Sequence, residues 1–346
     1  MATPYAHEVR IAQLAVQRAV LLTRRVFAQE AKGTLDKADR SPVTIGDFGA
    51  QVLIAAALRH NFPKDGIVAE EEGQELQRQP QLGDKVWEAV QATHLKQHDE
   101  ELGVVASRDD MVALLDWGRQ DARRVWTIDP IDGTKGFLRG GQYAVCLALL
   151  DAADVKVGVL ACPNLPVDNA VRLPDMTPAL PKGVLFAALK GHGAWSRPLT
   201  DAALAPRSPL AMRHLASLDA ATFCESVEAA HSSHHHQAAI AAALGIHAPS
   251  VRMDSQAKYA SIARGAADIY LRLPVSPTYQ EKIWDHAAGD LIVREAGGTV
   301  TDVHGKPLDF AAGSTLANNK GVVAAPAAHH ASLLRAVQQV LQPNKP

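Results

Sequence analysis

Two apolar runs, Tyr143–Leu150 and Val155–Leu160, stand on either side of Asp151-Ala152-Ala153-Asp154. Segments of this length, built from Val, Leu and Ala and interrupted by a short polar turn, read as strands paired antiparallel across it. The middle of the chain therefore calls for a sheet with antiparallel neighbours. Further on, strand-like runs (Val184–Leu189, Thr222–Glu225, Asp268–Leu271, Gly298–Asp302) alternate with helix-like ones (Gln237–Leu244, Ser255–Arg264, Asp285–Ala296). Each element must bury its apolar face against another, so this alternation predicts a layered α/β (α+β) architecture.

The N-terminal part reads as helical. Ile11, Leu14, Ala15, Leu22 and Val26 share one helical face, so Arg10, Arg18, Arg24 and Arg25 belong to a structural helix rather than to a transit peptide. Ser41-Pro42-Val43-Thr44 breaks the pattern. A second helix then carries Ala50, Leu53, Ile54, Ala57 and Leu58 at helical spacing and ends near Asn61, ahead of Pro63. Thr44-x-x-Asp47 in front of that run matches a capping box, which makes Asp47 an N-terminal helix acid. Gly66–Ala69 reads as a short strand that meets three consecutive acids, Glu70, Glu71 and Glu72. Residues 73–121 are polar and Gln-rich with helical pieces, one around Met111–Trp117, and predict a mobile excursion or lid. Pro166, Pro174, Pro178 and Pro181 crowd the next connection and predict a surface crossing between halves. With 346 residues, against about 100–200 per domain, two domains are expected: 1–170, with the acids and the lid, and 171–346.

Charge excludes some partners. Lys+Arg 35 against Asp+Glu 37 leaves a formal charge of −2, so no bulk field draws the chain to a nucleic-acid polymer or an acidic membrane. No apolar run approaches the ~18–20 residues of a membrane span, and the N-terminus lacks a signal-peptide core. An intracellular, cytoplasmic monomer acting on a small molecule is expected. Cys146, Cys162 and Cys224 form neither a CxxC pair nor an even framework and read as reduced, buried thiols.

The chemistry concentrates where Arg124–Ile128, a strand, runs into Asp129-Pro130-Ile131-Asp132-Gly133-Thr134. Pro130 disfavours a helix, so Asp129 and Asp132 project from a tight turn at a strand end. Taken alone, such a pair is as readily two solvated turn acids. Gly133-Thr134 changes the weighting, because a glycine admits close backbone approach and successive N–H groups can hold a phosphate. Mg²⁺ takes oxygen ligands, and Glu70, Glu71 and Asp285 add acids enough for a two-metal site. Asp285 alone could be a helix-start acid. His231-Ser232-Ser233-His234-His235-His236 lacks partners at zinc spacing and reads as mainly solvated. Gly191-His192-Gly193 lacks a third glycine, and neither a P-loop nor a GxSxG elbow is present.

Trp126-Thr127-Ile128-Asp129-Pro130-Ile131-Asp132-Gly133-Thr134 resembles the signature of the lithium-sensitive, magnesium-dependent phosphatase superfamily that includes inositol monophosphatase. Ser41–Asp47, Asp132–Gly140, Asp254–Tyr259 and Ile283–Gly289 look more narrowly like 3'(2'),5'-bisphosphate nucleotidases. The resemblance implies an α-β-α-β-α sandwich and hydrolysis of adenosine 3',5'-bisphosphate to AMP and phosphate, with the 5'-phosphosulfate analogue as a second substrate. It implies Mg²⁺ on Glu70, Asp129, the Ile131 carbonyl, Asp132 and Asp285. It assigns Asp47 and Thr134 to the attacking water, with Glu71 outside the ligands as a further member of the catalytic set. Gly133 and Thr134 would hold the scissile phosphate. His231, Ser255, Lys258 and Arg272 would form the nucleotide pocket, the two cations facing the phosphate that is not cleaved. Ala69, Glu72 and His235-His236 depart from the usual pattern without removing a ligand. An inositol polyphosphate 1-phosphatase and a non-catalytic sensor of the bisphosphate are the competing expectations.

Overall fold

The computed structural model describes residues 3–31, 41–118, 122–177, 179–228, 232–276 and 278–341. It begins with two long helices, α1 (Ala6–Ala31) and α2 (Ser41–Asn61). On α1 the expected face, Ile11, Leu14, Ala15, Leu22 and Val26, is buried. On α2 burial extends nearly all round, through Phe48, Val52, Ala55 and Ala56 as well as the expected stripe, as befits a helix enclosed by neighbours. Its start corrects the sequence reading. Ser41-Pro42-Val43-Thr44 forms the first turn rather than a break, because a proline there forfeits no intrahelical bond and has φ already set. Thr44 and Asp47 therefore lie inside the helix, and Asp47 is not a capping acid.

After β1 (Gly66–Ala69) come α3 (Gly73–Arg78), α4 (Pro80–Gln91) and α5 (Arg108–Leu115). This is the stretch expected to be a lid. Instead Leu76, Val86, Val90, Val105, Met111, Leu114 and Leu115 join one core with α1 and α2. None of its described residues lines the central cleft, so it forms a wall of the first layer. Burying each such Val, Leu or Met contributes about 1.5–3 kcal/mol, which short helices with polar outer faces need in order to persist.

The chain continues through β2 (Arg124–Asp132), α6 (Thr134–Leu138), β3 (Ala144–Asp151) and β4 (Asp154–Pro166). It then adds β5 (Lys182–Leu189), β6 (Ala194–Pro198) and β7 (Ser208–Pro209). These strands form one sheet in the order β1 to β7, with β1 and β2 parallel and the rest antiparallel. The β3–β4 hairpin turns through Ala152 and Ala153, both at positive φ (52° and 62°), the twist that matches flanking strands. β4 pairs with β5 as far as Pro166↔Lys182, so a division at 170/171 cuts through this sheet. The prolines mark a long connection between neighbouring strands, closed by Val167 N–H donating to the Pro181 carbonyl. The change of sheet comes later, between Pro209 and Phe223.

The second sheet uses β8 (Phe223–Glu225), β9 (Val251–Arg252), β10 (Ile269–Arg272), β11 (Gly298–Thr301) and β12 (Val322–Pro326), in the order β11-β12-β10-β8-β9. Its helices are α7 (His234–Ala243), α8 (Ala257–Ala263), α9 (Ala287–Glu295) and α10 (Ala327–Leu341). Strand alternation then builds the layers. Val145, Leu147 and Leu149 face the α1/α2 core, whereas Ala144, Cys146, Ala148 and Leu150 face a second core with α8 and α9. Beyond the second sheet, Phe223, Ile269, Leu271 and Val323 pack with Ile240 of α7 and Leu333 and Val337 of α10. The result is the expected α-β-α-β-α sandwich. Gly158 of β4 admits the α9 backbone closely: a Cβ there would lie 2.8 Å from the Ala288 carbonyl oxygen.

Candidate active site

Register brings the acids together. Parallel pairing of β1 and β2 sets Ala69 beside Ile128, so Glu70 and Asp129 leave the sheet side by side at the carboxyl ends of adjacent strands. Between Asp129 and Asp132 the pairing of β2 with β3 slips, and such an irregularity bends a strand and re-aims its side chains. Gly133 then takes φ +87°, and a Cβ on it would lie 2.9 Å from Ser255 Cβ, so only glycine lets this turn rest against the loop ahead of α8. From behind, α2 presses equally close: a Cβ on Gly46 would come within 2.7 Å of Ile131 Cδ1.

A cleft of about 230 Å³ results, lined by Glu70, Asp129, Ile131, Asp132, Gly133 and Thr134 on one side. Ser255, Lys258, Arg272, Asp285 and His286 face them. Nearly the whole sequence-derived set thus converges, from β1, β2, α6, α8, β10 and the turn before α9. Asp47 and Glu71 do not line the cleft, yet both are close enough to Glu70 for its charge to act on them. His231 lies outside the described residues. His234 is not simply solvated, since its Nε2 is 3.0 Å from the Ser226 carbonyl oxygen.

Gln256 and Glu281, given no role in the sequence reading, hold this arrangement together with Ser255 and Lys258. Gln256 donates its backbone N–H to Asp132 Oδ2 at 2.5 Å and its amide to the Trp284 carbonyl at 2.7 Å. Gln256 Oε1 accepts from Gly289 N–H at 3.0 Å, so one residue ties Asp132 to the segment carrying Asp285. Ser255 sits at φ +69°, a conformation costing a non-glycine residue about 1 kcal/mol or more, and its Oγ accepts from Ala257 N–H. Lys258 is buried, donating to the Ser255 and Met253 carbonyls at 2.8 and 3.3 Å. Glu281 pairs with Arg272 at 2.8 Å. Gln256 lies inside the Asp254–Tyr259 segment, whose resemblance gives it no role, and Glu281 stands in no local pattern of its own.

The electrostatics are those of stacked carboxylates. Burial first, and then neighbouring charges, drive Asp47, Asp129 and Asp285 well above the usual carboxylate range. Glu70 and Asp132 are raised too, Asp132 against the opposing pull of Lys258 and of the Gln256 N–H. Burial, with Glu70 and Glu75 nearby, pushes Glu71 up to about 7. Asp47 and Asp129 are buried, Glu71, Asp132 and Asp285 half-buried and Glu70 open to solvent, and acids so crowded ionise together only with a compensating positive charge. Lys258 and Arg272 are partly committed to carbonyls and to Glu281, while Asp47 Oδ1 and Asp129 Oδ1 are buried with no hydrogen-bond partner among the described residues. An all-oxygen donor set with orphaned carboxylate oxygens fits a hard divalent cation.

Sandwich and acid-lined cleft together are those of one protein class, and the comparisons agree. Residues 6–342 match the inositol monophosphatase family, and the chain belongs to it. Among curated relatives, the "3'(2'),5'-bisphosphate nucleotidase" of Emericella nidulans is 56% identical, covering 98% of this chain and 99% of its own. The protein of the same name from Schizosaccharomyces pombe is 48% identical over 92% of this chain and 91% of its own. An inositol monophosphatase from Zymomonas mobilis superposes with a TM-score of 0.62 over 97% of this chain and all (100%) of its own, at 20% identity, and shares the fold. The family is generally metal-dependent.

Proposed function

We propose that this chain is a Mg²⁺-dependent 3'(2'),5'-bisphosphate nucleotidase that removes the 3'-phosphate of adenosine 3',5'-bisphosphate, giving AMP and phosphate. The observation that carries the reading is the pairing, in one cleft, of four carboxylates (Asp129 buried, Asp132 and Asp285 half-buried, Glu70 exposed) with two cations, Lys258 and Arg272. The names of relatives at 48–56% identity support it. Glu70, Asp129, the Ile131 carbonyl, Asp132 and Asp285 would hold the metal. Bound there, Mg²⁺ would lower the pKa of water and neutralise charge on the ester.

The chain's own groups supply the rest. Asp47, whose burial gives it an unusually high proton affinity, would accept the proton of the attacking water, with Glu71 beside it raising that affinity further. Thr134, whose hydroxyl donates to the Ile131 carbonyl at 3.3 Å, would orient that water. Gly133 and Thr134 would seat the scissile phosphate. Water oxygen joins phosphorus as the P–O3' bond breaks; the water's proton stays with Asp47 until it is lost to solvent, and the departing 3'-oxygen takes a proton from a solvent water, with no covalent enzyme intermediate. Ser255, Lys258 and Arg272, with His231, would grip the nucleotide through its uncleaved 5'-phosphate. The 5'-phosphosulfate analogue offers the same groups and fits the same reading. Phosphate release from adenosine 3',5'-bisphosphate and from inositol 1,4-bisphosphate tests it. The nucleotide should be preferred, and Lys258→Ala should raise KM for it far more than for the inositol phosphate. Equal losses on both substrates would sink the assignment.

A further inference from the structure

Arg272 and Tyr279 stand between two cavities, lining both. One is the carboxylate cleft; the other, about 270 Å³, is bounded by Leu273, Pro274, Val275 and Glu281. Glu281 lines the second and not the first, although its carboxylate lies within 4.8 Å of that of Asp285 and of a His286 ring nitrogen. Arg272 Nε donates to Glu281 Oε1 at 2.8 Å, with each side chain only 11% exposed. The other carboxylate oxygen lies 3.3 Å from His286 Nε2, and His286 Nδ1 lies 2.8 Å from the Tyr259 hydroxyl. The Glu281 carbonyl is itself held by Leu316 N–H at 2.8 Å. Tyr259 shares α8 with Lys258, and His286 directly follows Asp285. The series Tyr259, His286, Glu281, Arg272 therefore links three segments that line the cleft.

An arginine side chain has many rotamers, and a ligand that must select one loses affinity in doing so. Spending Nε on a fixed carboxylate selects the rotamer beforehand. The two Nη groups form the edge that matches two phosphate oxygens, with the Tyr279 side chain also bonded to the guanidinium. We propose that Glu281 is a positioning residue which, by holding Arg272, makes the cleft selective for substrates carrying a second, uncleaved phosphate. The proposal rests on the nucleotidase reading above and deepens it. A carboxylate that merely neutralised Arg272 for the sake of folding would affect every substrate alike.

The test compares wild type with Glu281→Gln, which keeps the shape and an acceptor oxygen but removes the charge. For adenosine 3',5'-bisphosphate, KM should rise about tenfold or more with kcat changed by less than about threefold. For adenosine 3'-monophosphate, which has no 5'-phosphate, KM should change far less. Calorimetric titration with AMP, which carries only the 5'-phosphate, should show affinity about tenfold weaker in the variant. Adding Glu281→Gln to Arg272→Ala should cost nothing further, since the two act as one unit. Glu281→Asp, which keeps the charge but shortens the reach, should shift the same quantities in the same direction and serves if the glutamine variant does not fold. Equal changes on both adenosine substrates, or unchanged AMP affinity, would overturn the proposal. Failure of the underlying reading would appear separately, as a wild-type protein that releases no phosphate from the bisphosphate.

Discussion

Glu71 offers a quantitative test of the acid cluster. Its carboxyl is moved from the usual 4.5 to about 7 by burial, then by Glu70 and Glu75. A group whose proton is held more tightly in the folded chain contributes stability that is complete below its unfolded pKa and lost as pH rises through the folded one. The window for Glu71 is therefore roughly pH 4.5 to 7, with stability falling as pH rises. Linkage between 4.5 and about 7 gives about 2 kcal/mol between pH 5 and pH 8, after allowing for solvent at a half-buried side chain. Glu71→Gln removes the titrating proton while keeping the residue's backbone bonds to Gln51 (3.0 and 2.8 Å), which do not involve the carboxylate. Urea unfolding in EDTA should find the variant more stable than wild type, relative to pH 5, by about 2 kcal/mol at pH 8. A difference between variant and wild type that stays constant from pH 5 to pH 8, or one that reverses sign, would refute the reasoning.

Three further outcomes are expected. Gly158→Ala should cost about 1–3 kcal/mol in urea unfolding, because its Cβ would meet the α9 backbone at 2.8 Å, where nothing flexible can yield; a neutral substitution would mean that β4 and α9 are less tightly apposed. Cys146, Cys162 and Cys224 are buried, with thiol pKa values pushed up by burial, that of Cys224 to about 12. None should react with a thiol reagent at pH 8 until the chain is unfolded, and native-state labelling would contradict their placement. Asp47→Asn should lower turnover of the bisphosphate by about 100-fold or more while leaving AMP affinity within about twofold; wild-type turnover would remove Asp47 from the mechanism.

What the sequence made legible was local. The β3–β4 hairpin, the buried face of α1 and the strands at 184–189 and 268–271 follow from side-chain periodicity and turn residues, which act over a few positions. The start of α2 was misread because Pro42 can either end a helix or begin one, and only packing decides. The helical piece expected around Met111–Trp117 is α5, while α3 and α4 were not distinguished as elements because their apolar residues are sparse and matter only once packed against the α1/α2 core. Prolines near 166–181 signalled a loop correctly but not its reach, since the strands it joins are neighbours in one sheet. At the site, Asp129-Pro130-Ile131-Asp132-Gly133-Thr134 was legible because one turn carries it. Glu70 could be noticed as an acid at a strand end. Gln256 stands inside a recognised segment, but its bonds run to Asp132 and to the Trp284 carbonyl, and Glu281 bonds Arg272 across a connection, so neither role is readable from neighbouring residues.

The central claim is that this cleft cleaves the 3'-phosphate ester through a divalent cation held by its carboxylates. Identifying the products of adenosine 3',5'-bisphosphate by phosphorus NMR, with Mg²⁺, with EDTA, and with Mg²⁺ restored, tests it most directly. The account predicts AMP and inorganic phosphate in equal amounts with Mg²⁺, none in EDTA, and recovery on restoring the metal. Adenosine 3'-monophosphate as the product, hydrolysis that persists in EDTA, or no hydrolysis at all would contradict it.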